Sequence, residues 1–179
     1  MATTEIICAG FGGQGILVTG LIIANAAMDQ DREILWYPSY GVEMRGGTAN
    51  CNVKISDEEI ASPFAKNPNI VIAMNDASVI KFEPKVVPGG YLFVNSSTVK
   101  PREYRDDIHV IKVPASEIAN EVGNTRGANI VVLGALAAVT DLFEPAYLRD
   151  AIDSFFLKKG KVNPKNGICF DKGVELMSK

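Results

Sequence analysis

The chain has 179 residues, 47% of them apolar and 22% charged, with 18 Lys and Arg against 21 Asp and Glu. That length and balance suit one soluble domain, residues 1–179, with a sizeable core, and the net charge of −3 counts against a nucleic-acid or membrane binder. No run is apolar enough for a transmembrane helix, no basic leader opens the chain, and Cys8, Cys51 and Cys169 form no Cys-x-x-Cys, so a cytoplasmic protein with reduced thiols and no metal framework of its own is expected.

Glu5 to Ala9 is a short apolar run that predicts a buried strand. Gly10-Phe11-Gly12-Gly13-Gln14-Gly15 follows at once, and Ile16 to Ala27 predicts a buried helix. Strand, glycine turn and helix open a βαβ unit. Gly10, Gly12 and Gly15 match Gly-x-Gly-x-x-Gly, with Gly13 as an extra. Such a turn lets an anionic group approach the backbone at Gly12 and Gly13, where the free N–H groups and dipole of the helix can hold a phosphate. A tight turn that holds nothing accounts for the spacing equally well. A dinucleotide site usually adds an acid at the end of the second strand, about 20 residues on. Here that strand is Glu33 to Tyr37 and ends in Pro38-Ser39, while Asp29, Asp31 and Glu33 stand before it or at its start, which counts against NAD.

Pro38 to Gly47 reads as a loop at a carboxyl edge, where open α/β sheets bind ligands, and Arg45 beside Gly46-Gly47 suits a phosphate or carboxylate. A Glu43–Arg45 pair at a surface turn is the alternative. Thr48 to Ile55 alternates polar and apolar residues and predicts a half-buried, antiparallel strand near the edge. Asn69 to Met74 is a buried strand, and Asn75-Asp76 can cap a helix from Ala77 to Phe82. Pro88-Gly89-Gly90 turns into a strand, Tyr91 to Asn95, with Ser96-Ser97-Thr98 polar enough to face a ligand. Lys100 to Arg105 reads as a solvated excursion before the strand Ile108 to Val113, whose His109 reads as structural. Helices are expected over 115–122, 129–142, 145–157 and 164–177. The third-last feature of that series, Asn129 to Leu142, is apolar nearly all round, so it is either central or at a subunit interface, where it could pair isolated chains into a homodimer. Together these elements predict an α/β, Rossmann-like open sheet, mainly parallel, with helices on both faces and some antiparallel additions.

The sequence lacks Gly-x-x-x-x-Gly-Lys-Ser/Thr, Gly-x-Ser-x-Gly, His-Glu-x-x-His and a thiamine diphosphate signature, and no catalytic set can be assembled. A glycine loop without catalytic residues suggests a cofactor-handling part of something larger. A free-standing NAD(P) oxidoreductase and a purely structural assembly subunit are the competing readings.

Gly10 to Ile16 and Ser39 to Gly47, in this order and followed by Thr48-Ala49-Asn50-Cys51, resemble the gamma subunit of 2-oxoacid:ferredoxin oxidoreductases. The loop form Glu43-Met44-Arg45-Gly46-Gly47 is more similar to the 2-oxoglutarate and branched-chain members than to the pyruvate ones, with Val42 where proline is often found. The resemblance implies a complex that decarboxylates a 2-oxoacid on thiamine diphosphate, passes electrons through iron–sulfur clusters to ferredoxin and forms an acyl-CoA. It places thiamine diphosphate and clusters on alpha, beta and delta-type partner subunits and leaves the isolated chain inactive. It associates this region with coenzyme A, with Gly10, Gly12, Gly13, Gln14, Gly15 and Arg45 as the residues carried over to that cleft.

Overall fold

The computed structural model describes residues 3–40 and 48–179, with the side chain of Tyr40 left out. Among the described residues six strands form one sheet in the order β2-β3-β1-β4-β5-β6. They are β1 (Thr4–Phe11), β2 (Glu33–Tyr40), β3 (Thr48–Ser56), β4 (Ile70–Ala73), β5 (Tyr91–Asn95) and β6 (His109–Val113). β1, β4, β5 and β6 pair in parallel, and β3 runs antiparallel to both its neighbours, β1 and β2. The alternation in β3 has the meaning expected of it. Cys51, Val53 and Ile55 are wholly buried on one face, while Asn50 and Asn52 stand half-buried on the other. The strand is second from the edge, however, because β2 adds outside it.

β2 runs to Tyr40, three residues past the expected end, because its pairing with β3 continues to Tyr40 opposite Ala49. Pro38 is tolerated inside it because β2 is the edge strand and one side needs no ladder donor.

Six α-helices among the described residues cover the sheet: α1 (Ile16–Met28), α2 (Asp76–Phe82), α3 (Ala115–Val122), α4 (Ala128–Val139), α5 (Pro145–Lys158) and α6 (Pro164–Met177). The alternation of strand side chains splits the core in two. Ile6, Cys8, Ile72 and Phe93 face α1, α4, α5 and α6, while Ile7, Ala9, Val71 and Leu92 face α2 and the 99–108 segment. Helices lie on both faces, as expected, but unequally.

α4 is buried from Asn129 to Ala137 and ends at Val139, before the expected Leu142, where Thr140 turns extended. Its neighbours are this chain's own α1, α3, α5 and α6, so the helix is central and presents no face for a homodimer. Lys100 to Arg105 is not merely solvated. Arg105 donates from Nη1 to the carbonyls of Glu83 (2.9 Å) and Val86 (2.8 Å), and Val99, Tyr104 and Ile108 pack on the second core.

Candidate functional site

The glycine turn sits at the carboxyl end of β1. β1 extends to Phe11, so Gly10 lies within the strand opposite Ala49, and Phe11 lies opposite Thr48. Gly10 is needed for space: a Cβ there would come 2.6 Å from Gln14 Oε1 and 2.8 Å from Ile16 Cδ1. Gly13 (φ +90°) and Gly15 (φ +71°) take the left-handed conformation that side chains disfavour. Gly12 has neither reason. Its φ is not positive and nothing stands within 4 Å of a Cβ built on it.

Gln14 is committed to the protein. The Phe11 N–H donates to its Oε1 (2.7 Å), and its Nε2 donates to the Met74 carbonyl (3.0 Å), which also accepts from Thr98 Oγ1 (2.7 Å). The side chain therefore ties the ends of β1 and β4 and shapes the turn. Ser97 and Thr98, read from the sequence as polar enough to face a ligand, are likewise engaged within the protein: Ser97 Oγ accepts from the Glu117 N–H at 3.2 Å. Asn75 is the α2 cap, accepting from the Ser78 N–H at 2.8 Å, and Asp76 accepts from the Lys100 N–H at 2.9 Å.

Two helices begin at this rim. α1 starts after Gly15 and α4 after Gly127, both without a side-chain cap and without an acid in the first turn. Asn129 binds them together, its Nδ2 donating to Thr19 Oγ1 (3.2 Å) and to the Gly15 carbonyl (3.4 Å). Between them a cleft of about 570 Å3 is lined by Phe11, Gly12, Gly13, the first turn of α1, Ala49 and Arg126. The N–H groups of Ile16, Leu17 and Val18 precede the first intrahelical bond, made by the Thr19 N–H to the Gly15 carbonyl. Open donors, the positive end of a dipole and a guanidinium are groups whose chemistry favours an anion.

Arg126 was not singled out from the sequence. It is exposed, has no ion-pair partner among the described residues, and stands on a turn held by the Gly127 N–H to the Asn124 carbonyl (2.8 Å), with Asn124 bonded to Asn166 (2.9 Å). Its signal was the glycine-flanked connection before an uncapped apolar helix. Arg45 lies outside the described residues. The chain leaves at Tyr40 and returns at Thr48, both at this rim, since Ala49 faces Tyr40 on one side and Gly10 on the other.

The same register removes the dinucleotide geometry. β3 separates β2 from β1, and the end of β2 carries Pro38, Ser39 and Tyr40 in place of an acid. His109 stacks on Tyr91 at 4.9 Å, at the start of β6 and so at the opposite rim. Cys8 and Cys51 face each other across β1 and β3 beneath α1. The Cys51 contact and burial push the Cys8 thiol well up, and the hydrogen bonds Cys51 makes with Cys8 lower its own. Burial also raises the Cys169 thiol, and all three thiols, Cys51 included, are buried in the core, so none is exposed at the rim as a nucleophile would be.

Residues 5–176 match the family model described as pyruvate ferredoxin/flavodoxin oxidoreductase. The chain is 40% identical over 169 residues to the ketoisovalerate oxidoreductase subunit VorA of Methanothermobacter marburgensis, covering 93% of this chain and 35% of that one. It thus spans about a third of the length of that relative. It is 35% identical to the 2-oxoglutarate synthase subunit KorC of the same organism, covering 97% of this chain and 96% of that one. Among solved structures, 2-oxoglutarate:ferredoxin oxidoreductase from Magnetococcus marinus, with 2-oxoglutarate, coenzyme A and succinyl-CoA bound, superposes with a TM-score of 0.86 at 28% identity, covering 99% of this chain and 31% of that one. The glycine turn, the strands around it and the central helix all fall within the matched span, and the chain belongs to the pyruvate ferredoxin/flavodoxin oxidoreductase family.

Proposed function

We infer that this chain is the gamma-type subunit of a 2-oxoacid:ferredoxin oxidoreductase and that its glycine rim forms part of the coenzyme A side of the active site. The observation that carries the reading is similarity over 97% of this chain to a relative of nearly its own length named as a 2-oxoglutarate synthase subunit. The bound coenzyme A in the Magnetococcus marinus enzyme supports the choice of ligand. The reaction would convert a 2-oxoacid to an acyl-CoA, with ferredoxin taking the electrons. The 2-oxoglutarate and branched-chain acids are the substrate classes the relatives' names support.

In this reading the chain contributes binding, not bond-breaking. Gly12 and Gly13 leave the backbone bare, the first turn of α1 offers its N–H groups, and Arg126 neutralises a phosphate. Arg45 belongs with them as a sequence-based candidate. Gln14, Gly10 and Gly15 hold the turn in shape. Thiamine diphosphate and the iron–sulfur clusters belong to alpha, beta and delta-type partners, in a cytoplasmic complex of which this chain is one domain. Among the described residues no group of three or more His, Cys, Asp or Glu could hold a metal, and no described helix is long and apolar enough to cross a membrane.

Steady-state kinetics of the assembled complex test this. Arg126→Ala should raise the KM for coenzyme A about tenfold, the worth of one charge-assisted contact, and leave the KM for the 2-oxoacid unchanged. The isolated chain should turn over no 2-oxoacid. Turnover by the chain alone, or an unaltered coenzyme A KM in the variant, would overturn the reading.

A further inference from the structure

A second pocket, of about 370 Å3, opens on the other face of the sheet, between β2, β3 and α2. It flanks the same end of β3 as the glycine cleft: Ala49 lines the cleft and Asn50 the pocket. Lys66, Lys81 and Lys85 wall it and no Asp or Glu among the described residues does, although the chain's net charge is −3. None of the three lysines has an ion-pair partner among the described residues.

All three are exposed, and no counter-charge among the described residues offsets their mutual repulsion. Lys81 and Lys85 stand one turn apart, with Nζ 5.2 and 5.4 Å from the centroid of the same ring, Phe82. Like charges at that spacing repel, and the ring face offsets only part of it. Across the pocket, Tyr37 (40% exposed) and Phe64 (52% exposed) meet edge to face at 5.3 Å. Open aromatics beside lysines make a platform on which a base can stack while its phosphates reach the ammonium groups. The wall is anchored: the Ala65 N–H donates to Asn52 Oδ1 (3.2 Å) and the Asn67 N–H to Glu5 Oε2 (3.0 Å), which hold Phe64 and Lys66 against the sheet.

We propose that this pocket binds the diphosphate and base of a nucleotide, with Lys66, Lys81 and Lys85 on the phosphates and Tyr37 and Phe64 against the base. The volume suits a small ligand. A free nucleoside diphosphate and the nucleotide end of coenzyme A share this chemistry. Only the second source rests on the functional reading above; the pocket itself does not.

Calorimetric titration of the full chain with ADP and with adenosine tests the site. ADP should saturate one site with an affinity that falls as salt rises, and adenosine should bind at least tenfold more weakly. Lys81→Ala/Lys85→Ala should weaken ADP at least tenfold, while Lys81→Arg/Lys85→Arg retains it. In the assembled complex, a raised coenzyme A KM in the alanine pair assigns the pocket to the coenzyme. An unchanged KM alongside lost ADP binding assigns it to a free nucleotide. No saturable ADP binding to the wild-type chain, or equal ADP affinity in the alanine pair, overturns the proposal, whatever Arg126→Ala does.

Discussion

Gly12 and Gly13 are neighbours that lack a side chain for different reasons. Gly13 has a backbone reason, φ +90°, so Gly13→Ala should cost about 1–2 kcal/mol and lower Tm. Gly12 has no reason that the fold supplies. Gly12→Ala should therefore leave stability within about 0.5 kcal/mol and still raise the coenzyme A KM of the complex, because Gly12 lines the proposed binding cleft. Thermal unfolding and kinetics on the two variants separate a turn from a binding loop; a Gly12→Ala complex with wild-type kinetics reduces the motif to a turn. That the loop mattered was legible in its spacing. What each residue does was not, because it depends on partners distant in sequence. Gln14 looked like a ligand contact, yet its amide spans to Met74, which is beside it only because β4 pairs with β1. Arg126 reaches the same cleft only because Asn129 binds α4 to α1.

At the scale of elements, the most constrained contact is the crossing of α4 and α6. A Cβ on Gly134 would run into the Phe170 carbonyl, and one on Gly173 into the Val131 carbonyl, both backbone atoms that cannot swing aside. Gly134→Ala and Gly173→Ala should each destabilise by about 1–3 kcal/mol or more, despite alanine's better helix propensity. Chemical denaturation reads this directly, and a stabilised variant would show the helices free to separate. The all-apolar sequence of α4 already implied burial on every side. Whether its own chain or another provides the cover was not legible, since α5 and α6 are amphipathic and would suit either arrangement. The 99–108 strap was hidden for a related reason. Its charged residues look solvated, but Arg102 pairs at 3.4 Å with Glu83, which is 5% exposed, while the apolar residues between them reach the core.

For the whole molecule, buried strands alternating with helices were enough to give a mainly parallel sheet, and the alternation of β3 was enough to make it antiparallel. The order β2-β3-β1 was not legible, because short apolar strands do not encode which neighbour they take. That order decides function as well as shape, for it moves the second strand away from the glycine turn and leaves a Rossmann-like motif without the place for a ribose-binding acid. It also bears on cooperativity. β1 lies between β3 and β4 and places side chains in both cores, and α4 touches four other helices as well as β5 and β6. Opening either layer therefore strips β1, and removing any helix of the larger layer exposes α4. The isolated chain should accordingly unfold in a single transition, with an enthalpy near 125 kcal/mol at about 60 °C from roughly 0.7 kcal/mol per residue. Scanning calorimetry should find the van't Hoff and calorimetric enthalpies equal. Two resolved transitions would mean that the β2–β3 hairpin and the parallel half fold as separate units, and would divide the rim on which both proposed ligand sites depend.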